Sequence, residues 1–394
     1  MLLPLLLLAL PLANPLTEWA ALRPQEGPSA RAPLEAAASP LADHVLLIIL
    51  DDVGIDAVSC YPGAAPDANT PVLDGLADRG VRFDRVWSNP ACSPTRATLL
   101  TGRFGFRTGV GSVKALGSGG LRPEEVSLAE SLRRERPSLH TAFVGKWHLG
   151  PTEEQGPVAQ GFQHFRGTSG NLRVKTRPRP YFEYDERTGR STETSTRERY
   201  ATSAVVDDAL EAIEGFGAEP WLVIASFHAA HTPFHAPPSA LHSRSLDGSP
   251  KLQPRQHFMA MVDALDREIG RLLEGIPEGV LARTQVIVLS DNGTASKAQN
   301  KEHPLRLGKG SLYEDGIRVP MIIAGPAVMD PARVSGALVN TTDLFATIHE
   351  ILGARPAPEA VDSVSFVGEL TGQTAEGREW AFAERFQSEP PPSR

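Results

Sequence analysis

From residue 44 onward, short apolar runs alternate with stretches in which apolar positions recur every three or four residues. Residues 44–50 (HVLLIIL) form an apolar run with no polar interruption after the first position, the pattern of a strand buried on both faces. Similar runs cover residues 141–144, 221–227, 284–289 and 319–324. Helical patterns lie between them. Thr70-Pro71 opens one, with proline in the first turn, Val72, Leu73, Leu76 and Ala77 on one face, and Gly80 closing it. The longest covers residues 254–273, where Phe258, Met261, Val262, Leu265, Ile269, Leu272 and Leu273 fall at helical spacing. Buried strands alternating with helices predict an α/β fold, a mostly parallel or mixed central sheet with helices on both faces.

Two stretches break this rhythm. The first thirteen residues, MLLPLLLLALPLA, are apolar but too short to span a bilayer, and they resemble the core of a secretory signal peptide without its usual basic start. Residues 14–42 are Ala/Pro-rich without periodicity and read as a linker. The second stretch, residues 151–199, is charged and Arg-rich, with Arg173, Lys175, Arg177, Arg179, Arg187 and Arg190. It reads either as a solvated insertion or as a rim that meets an anionic substrate.

Composition narrows the function classes. The 394 residues carry 39 Lys and Arg against 47 Asp and Glu, a net charge of −8, which argues against a nucleic-acid partner. Only two cysteines occur, so a disulfide framework is excluded, while a single bridge between Cys60 and Cys92 stays open. No segment after the N-terminal run is long and apolar enough for a membrane helix.

Open α/β sheets bind ligands beyond the carboxyl ends of their strands. Asp51-Asp52 follow the first apolar run, and Ser290-Asp291-Asn292-Gly293 follow the run at 284–289. Either pair alone is a good turn former. Together they offer four hard oxygen donors, which suit Ca²⁺ or Mg²⁺ and not a soft metal. The sharpest local signal is Cys92-Ser93-Pro94-Thr95-Arg96, followed by Ala97-Thr98-Leu99-Leu100-Thr101-Gly102-Arg103.

That stretch resembles the signature of the formylglycine-dependent sulfatases of the alkaline-phosphatase-like superfamily. In this family a modifying enzyme reads Cys-x-Pro-x-Arg and oxidises the cysteine to an aldehyde. Thr95 stands where many members carry Ser. The resemblance extends over roughly residues 44–370. Gly145-Lys146-Trp147-His148-Leu149-Gly150 looks like the second signature, Ala230-His231-Thr232-Pro233 like the leaving-group histidine segment, and residues 308–320 like the later lysine segment, with Asp315 at a more usual Gly. Two of only seven lysines, Lys146 and Lys309, fall on family positions.

The resemblance implies a sulfate monoester, aryl or carbohydrate, as substrate. It implies one divalent ion, Ca²⁺ rather than Mg²⁺, on Asp51, Asp52, residue 92, Asp291 and Asn292. One hydroxyl of the hydrated aldehyde at position 92 would attack sulfur, its proton accepted by Asp291. His231 would protonate the leaving alcohol. His148 would take the proton of the second hydroxyl as sulfate is expelled. Arg96 would orient the hydrate, and Lys146 and Lys309 would hold sulfate oxygens. Either Ser169 or Asn171 would supply a polar group near the sulfate, and His228 and His235 read as ordinary loop histidines.

The expected organisation is a signal peptide at 1–13, a linker at 14–42, a catalytic domain at 43–370, and at 371–394 a remnant of the family's C-terminal antiparallel subdomain, with 379–386 as its first strand. The expected location is periplasmic or secreted. Rival readings are a phosphonate or phosphodiester hydrolase using the same nucleophile, and an inactive, truncated binder of sulfated glycans.

Overall fold

The computed structural model describes residues 39–113, 120–151, 153–174, 177–300, 307–373 and 377–386. The proposed signal peptide and most of the proposed linker lie outside them. Where the linker is described it is already docked, since the backbone N–H groups of Leu41 and Ala42 donate to Ile351 O and Ala42 is buried.

The strands are β1 (His44–Leu50), β2 (Gly80–Phe83), β3 (Val86–Trp87), β4 (His140–Lys146), β5 (His164–Thr168), β6 (Glu183–Thr188), β7 (Ser195–Glu198), β8 (Trp221–Ser226), β9 (Thr284–Ser290), β10 (Met321–Ala324), β11 (Arg333–Ser335) and β12 (Val339–Asn340). Ten of them form one sheet in the order β11-β2-β10-β9-β1-β8-β4-β5-β6-β7. Its centre, β9-β1-β8-β4-β5, is parallel throughout. β10 runs antiparallel to both β9 and β2. The sheet is therefore mixed, as expected. β12 and β3 pair separately.

Among the described residues, six helices of eight or more residues cover the sheet: α1 (Pro71–Asp78), α2 (Cys92–Thr101), α3 (Leu128–Glu135), α4 (Ala201–Phe216), α5 (Pro254–Gly275) and α6 (Leu344–Ile351). The unbroken apolar runs follow from burial on both faces. In β1, Leu46, Ile48 and Leu50 pack with α1, α4 and α5, whereas Val45, Leu47 and Ile49 pack with α2, α3 and α6. β9 divides likewise, Val286 and Val288 against Ile287 and Leu289.

Two expectations are corrected. The Arg-rich stretch is not a loop: it adds β5, β6 and β7 to one edge of the sheet. Several of its charges meet partners within the stretch. Arg177 pairs with Glu183 and Asp185 at 2.7 Å each, Arg179 lies over the Phe182 ring, and Arg187 donates to Pro151 O. Lys175 lies outside the described residues. Residues 379–386 form no strand where they are described. Their backbone is met by other groups instead: Asn340 Nδ2 donates to Phe382 O (2.7 Å), Glu384 N donates to Asn89 Oδ1 (3.4 Å), and Phe386 N donates to Gly111 O (2.7 Å).

Candidate active site

The site lies where β1, β4, β8 and β9 end. Asp51 and Asp52 directly follow β1, Lys146 and Ser226 are the last residues of β4 and β8, and Asp291 and Asn292 follow β9. Parallel neighbours in register bring all these ends to one side. Asp52 takes a left-handed backbone conformation (φ 64°), which Asp tolerates better than most residues and which breaks the strand alternation. Asp51 pairs with Lys146, and Asp52 with Lys309 (Nζ–Oδ1 2.6 Å). Asn292 Nδ2 donates to Asp52 Oδ1 at 2.8 Å, and Asp52 N to Asp291 Oδ1 at 3.3 Å.

Two motif glycines are required by close approach. A Cβ at Gly145 would sit 2.0 Å from Ser226 O, with φ at 94°. One at Gly293 would sit 1.7 Å from Asp315 O. Gly145 thus brings the end of β4 against β8, and Gly293 brings the loop after β9 against the lysine segment.

Cys92 is the first residue of α2 and is buried beneath Lys309, whose Nζ lies 3.8 Å from Sγ. One helical turn further on, Arg96 places Nε and Nη2 on Asp291 Oδ2 at 3.0 and 2.9 Å. Its Nη1 donates to Lys146 O (2.7 Å) and to Ser226 Oγ. The guanidinium thus ties α2, β4, β8 and the loop after β9 together. Burial pushes the Cys92 thiol up against the opposing pull of Lys146 and Lys309, so an unmodified thiol here is a protonated, poor nucleophile at neutral pH. Burial opposes the charge on Lys309, but Asp52 outweighs it and raises the ammonium above its ordinary value. Burial likewise opposes the charge on Asp52, and Lys309 with His231 holds it below the usual carboxylate range.

Two histidines line the site. His148, also left-handed (φ 62°), is buried with neither ring nitrogen partnered, and burial, Lys146 and Arg96 hold it well below 6.5, in the neutral form. His231 donates through Nδ1 to Thr232 O (2.6 Å) and turns Nε2 toward Asp52 Oδ2 at 3.9 Å. Burial lowers its pKa while Asp52 and Asp51 work to raise it. His228 and His235 are not surface decoration. His228 is buried against Thr168 Oγ1 (2.8 Å), and His235 packs between Tyr181 and Tyr200. Ser169 receives the His148 N–H on its backbone carbonyl, and Asn171 Oδ1 is buried without a partner. Sequence reasoning missed Ser226, Thr168 and Tyr181. None of the three sits in a local pattern that sequence alone marks.

The donor set fits a divalent cation. Asp51 Oδ1 and Asn292 Oδ1 are buried acceptors with no hydrogen-bond partner, beside the carboxylates of Asp52 and Asp291. One oxygen each of Asp51 and Asp291 and the Cys92 sulfur lie within 4.8 Å of one another. Hard oxygens at such a concentration of negative charge suit Ca²⁺ or Mg²⁺. Cys60 and Cys92 are both free, so the open question of a bridge is answered in the negative.

Comparison with known proteins agrees with this geometry. The profile of the Sulfatase family matches residues 43–354. N-acetylgalactosamine-6-sulfatase of Rattus norvegicus is 30% identical over 83% of this chain and 65% of its own length. Arylsulfatase A of Bos taurus is 29% identical over 88% of this chain and 71% of its own. The chain thus spans about two thirds of the length of these relatives. Among solved structures, the PsFucS1 sulfatase from Pseudoalteromonas sp. superposes with a TM-score of 0.69 at 25% identity, covering 87% of this chain and 74% of that one. Ps i-CgsB in complex with k-i-k-neocarrahexaose gives 0.72 at 24%, covering 85% and 77%, a likeness of fold. With a cysteine signature, paired acidic strand ends and a family match across the whole central sheet, the chain belongs to the sulfatase family.

Proposed function

We propose that this chain hydrolyses sulfate monoesters, aryl or carbohydrate, to an alcohol and inorganic sulfate. The observation that carries the reading is the seating of Cys92 at the start of a buried helix, within reach of Lys309 and flanked by Asp51, Asp52, Asp291, Asn292, Lys146 and Arg96. Converted to formylglycine by a modifying enzyme and hydrated, position 92 supplies an oxygen nucleophile. A divalent ion, Ca²⁺ by family resemblance, would be held by Asp51, Asp52, Asp291, Asn292 and residue 92 and would supply Lewis-acid polarisation.

The chain's own groups do the rest. Arg96, four residues after Cys92 on the same helix face, holds the nucleophile's orientation because Asp291, Lys146 O and Ser226 fix its own. Arg96 binds Oδ2 of Asp291 and leaves Oδ1, which takes the Asp52 N–H, as the oxygen that would accept a proton. Lys146 and Lys309 meet sulfate oxygens where charge develops. His231 delivers a proton to the leaving oxygen, and neutral His148, with both nitrogens unpartnered, takes one from position 92 as sulfate departs. The three carboxylates offset Arg96, Lys146 and Lys309, so a divalent ion leaves a positive surplus to receive an anionic ester. A carbohydrate sulfate is favoured by the relatives named for such substrates. Export to the periplasm or medium rests on the apolar run at 1–13, and N-terminal sequencing of the mature protein tests it.

Mass analysis of the peptide containing residue 92, paired with turnover of matched sulfate and phosphate esters, tests the reading. The expected result is an aldehyde at 92, faster cleavage of the sulfate, loss of turnover in Cys92→Ala, and loss of activity with a lower Tm after chelation. An intact thiol in fully active protein would exclude the mechanism. A faster phosphate ester would move the chain to the phosphorus-ester class. Binding of sulfated glycans with no turnover by aldehyde-bearing protein would make it a binder.

A further inference from the structure

Tyr181 lies in the Arg-rich stretch that the proposed chemistry does not use. It enters the core just before β6 and is 1% exposed. Its hydroxyl meets two backbone carbonyls of one tight turn, His228 O and His231 O, the latter at 2.7 Å. The turn is closed on itself by His231 N donating to His228 O at 2.9 Å. Tyr181 is fixed in turn: its ring packs 4.2 Å from the His235 ring, and its own carbonyl accepts Ala201 N (2.7 Å) at the start of α4. The same turn reaches the opposite wall. His228 Nε2 lies 2.8 Å from Thr168 Oγ1, and Thr168 Oγ1 donates to Gly170 O (2.7 Å), in the loop that receives the His148 backbone N–H.

We infer that Tyr181 is a positioning residue for His231. Among the described residues its hydroxyl hydrogen-bonds to these two carbonyls and to no group at position 92 or in the acidic cluster. It acts by clamping the carbonyls at both ends of the turn that presents the His231 imidazole to the site. The inference rests on the reading of His231 as the general acid. The single hydroxyl proton is shared between the two carbonyl oxygens, so one donor draws both ends of the turn to one point. Removing it frees the His231 carbonyl and lets the imidazole shift from its Thr232 and Asp52 contacts. Proton transfer to a leaving oxygen is sensitive to displacements of about 1 Å. Substrates whose leaving group departs unaided should not notice the change.

The test is Tyr181→Phe, which keeps the ring and its packing. The full-length protein carries verified aldehyde at 92 and is assayed beside His231→Ala and the double variant. Two sulfates that the parent turns over are compared at one pH: 4-nitrophenyl sulfate, and a sugar or alkyl sulfate with a basic leaving oxygen. Tyr181→Phe is expected to leave the aryl sulfate within about twofold. It should lower kcat on the unactivated sulfate by roughly tenfold, less than the 10²–10⁴ expected for His231→Ala, with KM little changed. The double variant should be no worse than His231→Ala alone. An equal loss on both sulfates, no loss on either, or an additive double variant overturns the inference while the His231 reading stands. If His231→Ala itself shows no dependence on the leaving group, the acid reading and this inference fall together. A crystal structure of Tyr181→Phe with the His231 ring unmoved from Thr232 O and Asp52 overturns it independently of activity.

Discussion

At the scale of single residues, the site is held by groups that bind several elements at once. Arg96 is the clearest case, because no other cation can place two nitrogens on Asp291 Oδ2 and a third on Ser226 and the Lys146 carbonyl. Lysine keeps the charge but has no fork. Arg96→Lys is therefore expected to retain the fold by circular dichroism and to lose turnover by about 10²-fold or more. Undiminished turnover would detach the guanidinium geometry from catalysis. The signature residues were legible in sequence because their chemistry demands those side chains at fixed spacing. Cys92, Arg96, Lys146, Lys309, His148, His231 and the two acidic pairs all converge on one site. Ser226, Thr168 and Tyr181 were not legible. They work through single hydroxyls whose partners lie from 47 to 130 residues away, and a lone hydroxyl carries no local pattern.

At the scale of elements, the apolar runs predicted the central strands well, because burial on both faces leaves no room for polar residues. They failed where pairing, not burial, decides. β6 and β7 are charged strands, with Arg197 of β7 paired to Glu186 of β6 and Arg177, outside both, paired to Glu183 and Asp185, so they read as a solvated insertion. Residues 379–386 failed in the opposite sense, reading as strand although their described backbone is met by side chains and loops and joins no sheet ladder. They form a strap instead. Arg378, 4% exposed, inserts between Asp343 and the backbone, with Nε 2.8 Å from Oδ2, while Phe382 packs on Phe104 and Phe386 lies flat over Gly111. The strap ends beside the site, where Arg385 donates to Gly310 O, next to Lys309. Burial alone raises the Asp343 pKa and Arg378 opposes the rise, so removing the arginine leaves an uncompensated buried acid. Arg378→Ala should cost about 3–5 kcal/mol of stability by urea unfolding. Arg378 and Asp343 replaced together by Met and Leu should cost less than the single change. A single-variant loss under about 1 kcal/mol would mean the strap is not anchored by this pair.

At the scale of the whole molecule, buried histidines couple the fold to acid. His349 in α6 donates through Nδ1 to Phe345 O (2.7 Å), so its Nε2 accepts from Ser131 Oγ (2.7 Å), which in turn accepts Ala357 N (3.0 Å). Only the neutral ring satisfies this chain, and burial lowers its pKa to about 4. The unfolded chain protonates the same ring near 6.5, so it binds more protons than the folded chain as pH falls from 6.5 toward 4, and stability is lost across that window. Asp266 has the opposite sign. Its carboxyl is raised to about 6 by burial, so the folded state takes up its proton first and gains stability between about 6 and 3.8. The contribution of His349 is isolated by comparing slopes. Between pH 7 and 5.5 the parent should lose about 1 kcal/mol more than His349→Gln, measured by denaturant unfolding at each pH. Equal slopes would show that the ring does not carry the coupling.

β7, at the far end of the ten-stranded sheet, also bears on how the molecules behave in a crowd. An outermost strand offers unpaired N–H and C=O groups along its length, an open template on which a second chain can add and a polymer can grow. β7 is only four residues long, Ser195–Glu198, and at the opposite edge β11 has three. Arg197 is drawn inward onto Glu186 and Asp208, while Ser195, Thr196 and Glu198 face solvent and resist a dry, apolar partner. Glu198→Val together with Thr196→Val should therefore leave turnover intact and produce larger species as concentration rises, seen by light scattering. A monodisperse variant at high concentration would place the protection in strand length instead of charge. In this sense the arginine-rich stretch acts as a gatekeeper, ending the sheet in a strand that discourages its own continuation.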